Sequence, residues 1–118
     1  MNGPFAFNQT EVNKLNDTAG AYILGISKND GKNYAIYVGR SDGGQNAGLK
    51  TRLTQHLINE DNDLLKKNPP TLFWYQYCQS AEEAYKLECT WYHQYNPSCN
   101  NVHPAKASSS WICPVCRN

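Results

Sequence analysis

No apolar stretch in this 118-residue chain approaches the roughly 20 residues that span a bilayer as a helix, so no membrane partner is expected. The opening Met1, Asn2, Gly3 and Pro4 lack the basic and apolar parts of a secretory signal. Net charge is almost absent at +1, so bulk electrostatics do not announce a nucleic-acid binder. Acidic residues are missing altogether from residues 43–59, where Lys50, Arg52 and His56 lie, with Arg40 just ahead. That local basic patch suits salt-sensitive phosphate binding. The five cysteines are an odd number with one close pair, Cys113 and Cys116, which argues against a disulfide framework. Together with the missing signal, they lead to the expectation of a reducing, intracellular and cytoplasmic setting. The Gly-rich stretch 41–48 lacks the GxxxxGK[ST] pattern, which excludes a P-loop.

What is present describes a folded chain. Hydrophobic residues make up 40% and aromatics 12%, enough for a modest core in a single domain over 1–118. Residues 8–16 suit a short helix, with Asn8 or Thr10 as cap and Val12 and Leu15 at helical spacing. Residues 21–26 and 34–38 read as strands around the turn signal Asn29, Asp30, Gly31, and should pair as an antiparallel hairpin. Leu49, Leu53 and Leu57 predict a helix over 49–58. Residues 64–67 add one helical turn, stopped by Pro69 and Pro70. The aromatic run 71–78 reads as a third strand. Ser80 and Glu83 have the form of a capping box for a helix ending near Tyr95, with Ala84, Leu87, Trp91 and Tyr95 as its buried stripe. The expected fold is α+β, with a small three-stranded antiparallel sheet flanked by helices.

Several polar residues interrupt this apolar pattern. Arg52 and His56 form one row on their helix, beside the leucine stripe, and can act on one target. Glu88 falls on or beside the buried face of the last helix, where a carboxylate needs a cation, a metal or a proton. Tyr22 and Tyr37 lie on the paired strands, and Asn100 follows Pro97. Each has an ordinary structural explanation alone. Together they supply phenol, guanidinium, imidazole, carboxylate and amide, groups suited to metal-assisted phosphodiester cleavage.

The order of these groups resembles the GIY-YIG endonuclease family. The first signature reads Gly20, Ala21, Tyr22, with Ala where Ile or Val is usual, and the second reads Tyr37, Val38, Gly39. Arg52 and His56, Glu88, and Asn100 after Pro97 follow in the family's order. A His at position 56, where many members place Tyr, is similar to the restriction-enzyme-like branch. The resemblance covers most of the chain. It implies a DNA endonuclease in which Glu88 holds one Mg²⁺ or Mn²⁺ and Arg52 grips the scissile phosphate. Tyr22 or Tyr37 would orient or deprotonate the attacking water, in a cationic setting that lowers the phenol's pKa. His56 would assist by hydrogen bonding, and Asn100 would fix the geometry from behind. Gly39, Arg40 and Lys50 are the further candidates for contact with DNA. Cutting both strands would call for a homodimer or a second event, and targeting for a separate partner.

Two other classes stand beside this expectation. One is a nucleic-acid-binding module of the same fold that does not cut. The other is an interaction domain organised by zinc in the tail, residues 98–118. Cys113 and Cys116 form half of a common zinc pattern, and Cys99 and His103 are the candidates to complete it. Cys78 and Cys89 read as buried core thiols.

Overall fold

The computed structural model describes residues 1–117, so the last residue of the 98–118 tail lies outside the described part. Among these residues are four strands, β1 (Asn2–Ala6), β2 (Gly20–Ser27), β3 (Asn33–Ser41) and β4 (Leu72–Tyr77). The helices are α1 (Gln9–Val12), α2 (Leu49–Ile58), α3 (Asp63–Lys67) and α4 (Ala81–Tyr95). The strands form one antiparallel sheet in the order β1-β4-β2-β3. The fold is α+β as expected, but the sheet has four strands, not three.

The additional strand is β1, which pairs with β4 at the sheet edge. Gly3 and Pro4 hide it from a reading by propensity, yet an edge strand tolerates a missing N–H. Gly3 has a φ of +121°, and a side chain there would meet the Phe73 carbonyl at 2.8 Å. A residue with a Cβ could not bring this strand so close. Phe5 and Phe7 then pack against Phe73, with ring centroids 5.6 and 5.8 Å away.

The two faces of the sheet bury different sets of residues, because side chains alternate along a strand. Tyr22, Leu24 and Phe73 pack with Leu49 and Leu53 of α2 and with Val12 of α1. Ala21, Ile23 and Val38 pack with Trp91 of α4 on the other face. The β2–β3 register is irregular between Leu24 and Gly25, where the pairing passes over Ile36. That bulge lets Ile36 and Tyr37 both join the α2 side.

Caps fix the helices that carry the site. The α2 N-cap, Gly48, has no side chain to offer, so Asp17 reaches in from the loop between α1 and β2. Its carboxylate accepts from the Thr51 N–H at 2.9 Å and from the Thr51 hydroxyl at 2.8 Å. A negative charge at that end also suits the helix dipole. Ser80 caps α4 by accepting from the Glu83 N–H. The buried residues of α4 are Ala84, Tyr85, Glu88, Cys89 and Trp91, while Tyr95 is exposed. The expected stripe through Tyr95 is therefore displaced, because the tail packs Cys113 and Trp111 against Tyr85 and Cys89.

Candidate active site

The β2–β3 register sets Gly39 directly opposite Tyr22, and Tyr37 opposite Leu24. All four residues share the α2 side of the sheet. A Cβ on Gly39 would overlap the Tyr22 ring carbons and hydroxyl. Gly39 thus contributes its missing side chain, through which the phenol lies flat against β3. The Tyr22 and Tyr37 ring centroids are 6.2 Å apart. Tyr22 is 0% exposed.

Above the phenols stands the row on α2. Tyr22 Oη and His56 Nε2 are 2.7 Å apart, and His56 Nδ1 lies 2.8 Å from Glu60 Oε1. Glu60 accepts the Nδ1–H, which leaves Nε2 to accept from the phenol. The chain Glu60–His56–Tyr22 thus runs from a half-buried carboxylate to a fully buried hydroxyl. Glu60 is absent from the sequence-predicted site, although it continues the Arg52–His56 row at helical spacing. Burial pushes the Tyr22 phenol well above its ordinary pKa, and neighbouring Tyr37 adds to this while Arg52 pulls partly the other way. Burial likewise raises Tyr37. The expected lowering of a phenol pKa is not found, because loss of water outweighs the nearby cation.

Arg52 is exposed and lightly held, with Nη1 donating to Gln55 Oε1 at 3.3 Å. It lines a cavity of about 360 Å³ together with Tyr37, Gly39, Arg40, Ser41 and Glu88. The cavity straddles β3, the free edge of the sheet, and so draws on residues from both faces. Arg52, His56 and Glu60 also line a second depression beside it. Lys50, on the first turn of α2, belongs to neither wall.

Glu88 is 8% exposed and reaches this cavity from α4. Its Oε1 accepts from Arg40 Nη1 at 2.8 Å, while Arg40 Nε donates to Asp42 Oδ1 at 2.7 Å. Arg40 also lies over the Tyr85 and Trp111 rings, 5.3 and 5.8 Å from their centroids. The fork expected to meet DNA is therefore engaged within the protein. Burial raises the Glu88 pKa, and the Arg40 hydrogen bond offsets only part of that. The Arg40 pair uses one carboxylate oxygen. The buried Ser41 hydroxyl in the same wall has no partner among the described residues. A carboxylate with one oxygen outside the Arg40 pair, in a water-accessible cavity, fits a hard divalent ion that keeps several waters.

Asn100 does not enter the cavity. Its Oδ1 accepts from the Val38 N–H and its Nδ2 donates to the Val38 carbonyl, each at 2.9 Å. With Cys99 N–H donating to the Ile36 carbonyl at 2.7 Å, the segment caps the open edge of β3. The Tyr37–Gly39 stretch is thereby held from behind.

The tail holds a second cluster. Ligand atoms of His93, His103, Cys113 and Cys116 all lie within 4.8 Å of one another. His93, on α4, takes the place expected of Cys99. Cys99 is 1% exposed and packs in the main core among Leu49, Leu53 and Leu65, so it cannot turn toward the tail. Burial pushes the Cys113 thiol up, but the Cys116 and Val115 N–H groups, His103 and Cys116 outweigh it and bring its pKa to about 5. Sequence spacing alone did not reveal His93, because nothing marks it among the polar residues at the end of α4. All five cysteines are free thiols.

Residues 19–102 match the family model described as the GIY-YIG catalytic domain. No curated protein matches the chain.

Proposed function

The chain belongs to the GIY-YIG family, whose catalytic domains are nucleases, and from that premise we propose that it is a divalent-metal-dependent DNA endonuclease. The observation that carries the reading is the meeting of Tyr37, Arg52 and Glu88, from β3, α2 and α4, in the wall of one cavity of about 360 Å³. A phosphodiester backbone can enter such an open site, and three reacting groups then face one phosphate.

The roles follow from what each side chain can reach. Arg52 has a long hydrogen bond to Gln55 and lies beside the Tyr22 and Tyr37 phenols, with no carboxylate partner among the described residues, so its planar fork can hold the scissile phosphate. Tyr37 orients the attacking water from the cavity wall. Tyr22 cannot be stored as a phenolate, because its burial forbids a lasting charge. It acts instead as a relay hydroxyl that takes a proton from the attacking water as it gives its own to His56 Nε2, so the phenol stays neutral while Glu60 steadies the resulting imidazolium. Mg²⁺ or Mn²⁺ held at Glu88, with water completing its shell, would offset charge on the phosphate and on the leaving 3′-oxygen. Asn100 is a positioning residue for β3. Arg40 keeps the Glu88 carboxylate paired until a metal-bearing substrate competes for it. One such site cuts one strand, so double-strand cleavage calls for a second copy or a second event. A reducing, cytoplasmic setting is part of the same proposal, on the odd number of cysteines in the sequence. Among the described residues, no helix is long and apolar enough to cross a membrane.

The Arg40–Glu88 pair also favours a second reading, a nucleic-acid-binding module in which the pair is permanent and no ion binds. Incubation with plasmid and branched DNA separates the two. The endonuclease reading predicts nicking with Mg²⁺ or Mn²⁺ that a chelator stops. Binding with no cleavage under any divalent ion would favour the module.

A further inference from the structure

The tail cluster gathers side chains whose ligand atoms converge on one point. His93 Nε2 is buried without a hydrogen-bond partner among the described residues. A buried, unpaired ring nitrogen costs stability unless something comes to it. His103 Nδ1 lies 3.0 Å from the Pro104 carbonyl, which accepts its N–H. That fixes the tautomer and leaves Nε2 as an acceptor, which sits 3.4 Å from Cys116 Sγ. Cys113 is fully buried, and the chain turns back after it through an Arg117 N–H to Cys113 carbonyl bond of 2.9 Å. That turn brings Cys116 round to face the same point.

We infer that His93, His103, Cys113 and Cys116 bind one Zn²⁺ as a closed tetrahedral site that fastens the tail to α4. Two imidazoles and two thiolates are a donor set for a borderline-soft ion, not for Mg²⁺ or Mn²⁺. Ligand atoms around a tetrahedral zinc stand roughly 3.3–3.8 Å apart, so contraction from within 4.8 Å is small. All four protein positions are filled, which makes the site structural. It is separate from the cavity at Glu88, and its failure would leave the nuclease reading standing.

The site has a consequence for that cavity. Cys113 and Trp111 pack on Tyr85 and Cys89, and the Tyr85 and Trp111 rings flank Arg40. The metal therefore holds two walls of the Arg40 pocket, and with them the arrangement of Arg40 against Glu88.

The test is metal content of the full chain, freshly purified and reduced, followed by Zn²⁺ titration of chelator-stripped protein. About one zinc per chain is expected. His93→Ala and Cys116→Ser should each weaken Zn²⁺ binding by at least about 100-fold, since even residues that only orient ligands matter by 10–100-fold. Cys99→Ala should retain full stoichiometry. Trp111 fluorescence, isolated in a Trp74→Phe/Trp91→Phe background, should change on stripping and return with Zn²⁺. Zinc absent from the purified protein together with no binding on titration would overturn the inference. So would undiminished binding by His93→Ala, or a loss in Cys99→Ala equal to that in His93→Ala.

Discussion

Replacing Gly39 with Ala probes the contact on which the site rests. The backbone at this position is ordinary strand, so Ala meets no conformational penalty. By its effect on the unfolded chain alone it should stabilise by about 0.4–1 kcal/mol. The added methyl, however, would occupy the space of the Tyr22 ring and hydroxyl. Tyr22 is 0% exposed and cannot retreat into solvent. Overpacking of this kind costs about 1–3 kcal/mol, so the net effect should be a destabilisation of up to about 2.6 kcal/mol. For a domain of this size that is a fall in Tm of up to roughly 15 °C. The displaced phenol also leaves its 2.7 Å bond to His56, and cleavage should drop by about 10²-fold or more. Thermal unfolding and single-turnover cleavage read the two effects. Tyr22→Phe removes the hydroxyl, one of the nearest obstacles, so Gly39→Ala should cost less in that background. A coupling of about 0.5–2 kcal/mol is expected from the double-mutant cycle. Strict additivity, with wild-type cleavage in Gly39→Ala, would refute the argument that Gly39 exists to seat Tyr22.

Three further perturbations address other links in the account. Arg52→Lys keeps the charge but loses the planar fork, so it should fail nearly as badly as Arg52→Ala in steady-state cleavage; near-normal activity would reduce Arg52 to general electrostatics. Asn100→Ala removes two hydrogen bonds to Val38, which at about 0.5–1.5 kcal/mol each should lower urea stability by about 1–3 kcal/mol. It should weaken kcat without ending DNA binding. The folded-state pKa of Glu88 is raised by burial, with the Arg40 hydrogen bond opposing the shift. Its contribution to stability is present below the ordinary carboxylate pKa and is lost as pH rises through the folded value. Activity needs the ionised form, so the acidic limb of the kcat/KM profile should lie above the ordinary carboxylate range; a limb at that range would contradict a buried Glu88 as the controlling group.

Much of the architecture was legible in local pattern. Leu49, Leu53 and Leu57 gave the bounds of α2, and Ser80 and Pro97 bracketed α4, because caps and periodicity act over a few residues. The order of Tyr22, Tyr37, Arg52, His56, Glu88 and Asn100 carried the family. What stayed hidden depended on partners distant in sequence. β1 contains Gly3 and Pro4, which argue against a strand until β4 is there to receive it. The α4 stripe was misread because the tail, not the sheet, buries Tyr85 and Cys89. Cys99 looked like a fourth ligand by spacing, but the bond to Ile36 and the packing around Leu53 commit it to the core. Arg40 lay beside the second signature and looked free, while its guanidinium is shared between Glu88 and Asp42.

The central claim is that Glu88 serves a metal-dependent cut. The most direct measurement is single-turnover cleavage of labelled DNA by Glu88→Gln beside the wild type, in Mg²⁺, with DNA binding measured on the same preparations. Gln keeps the shape and removes the charge that would hold the ion. The account predicts binding close to wild type and cleavage slower by about 10²-fold or more, a barrier increase of about 2.7 kcal/mol at least. Cleavage by Glu88→Gln at the wild-type rate would contradict it.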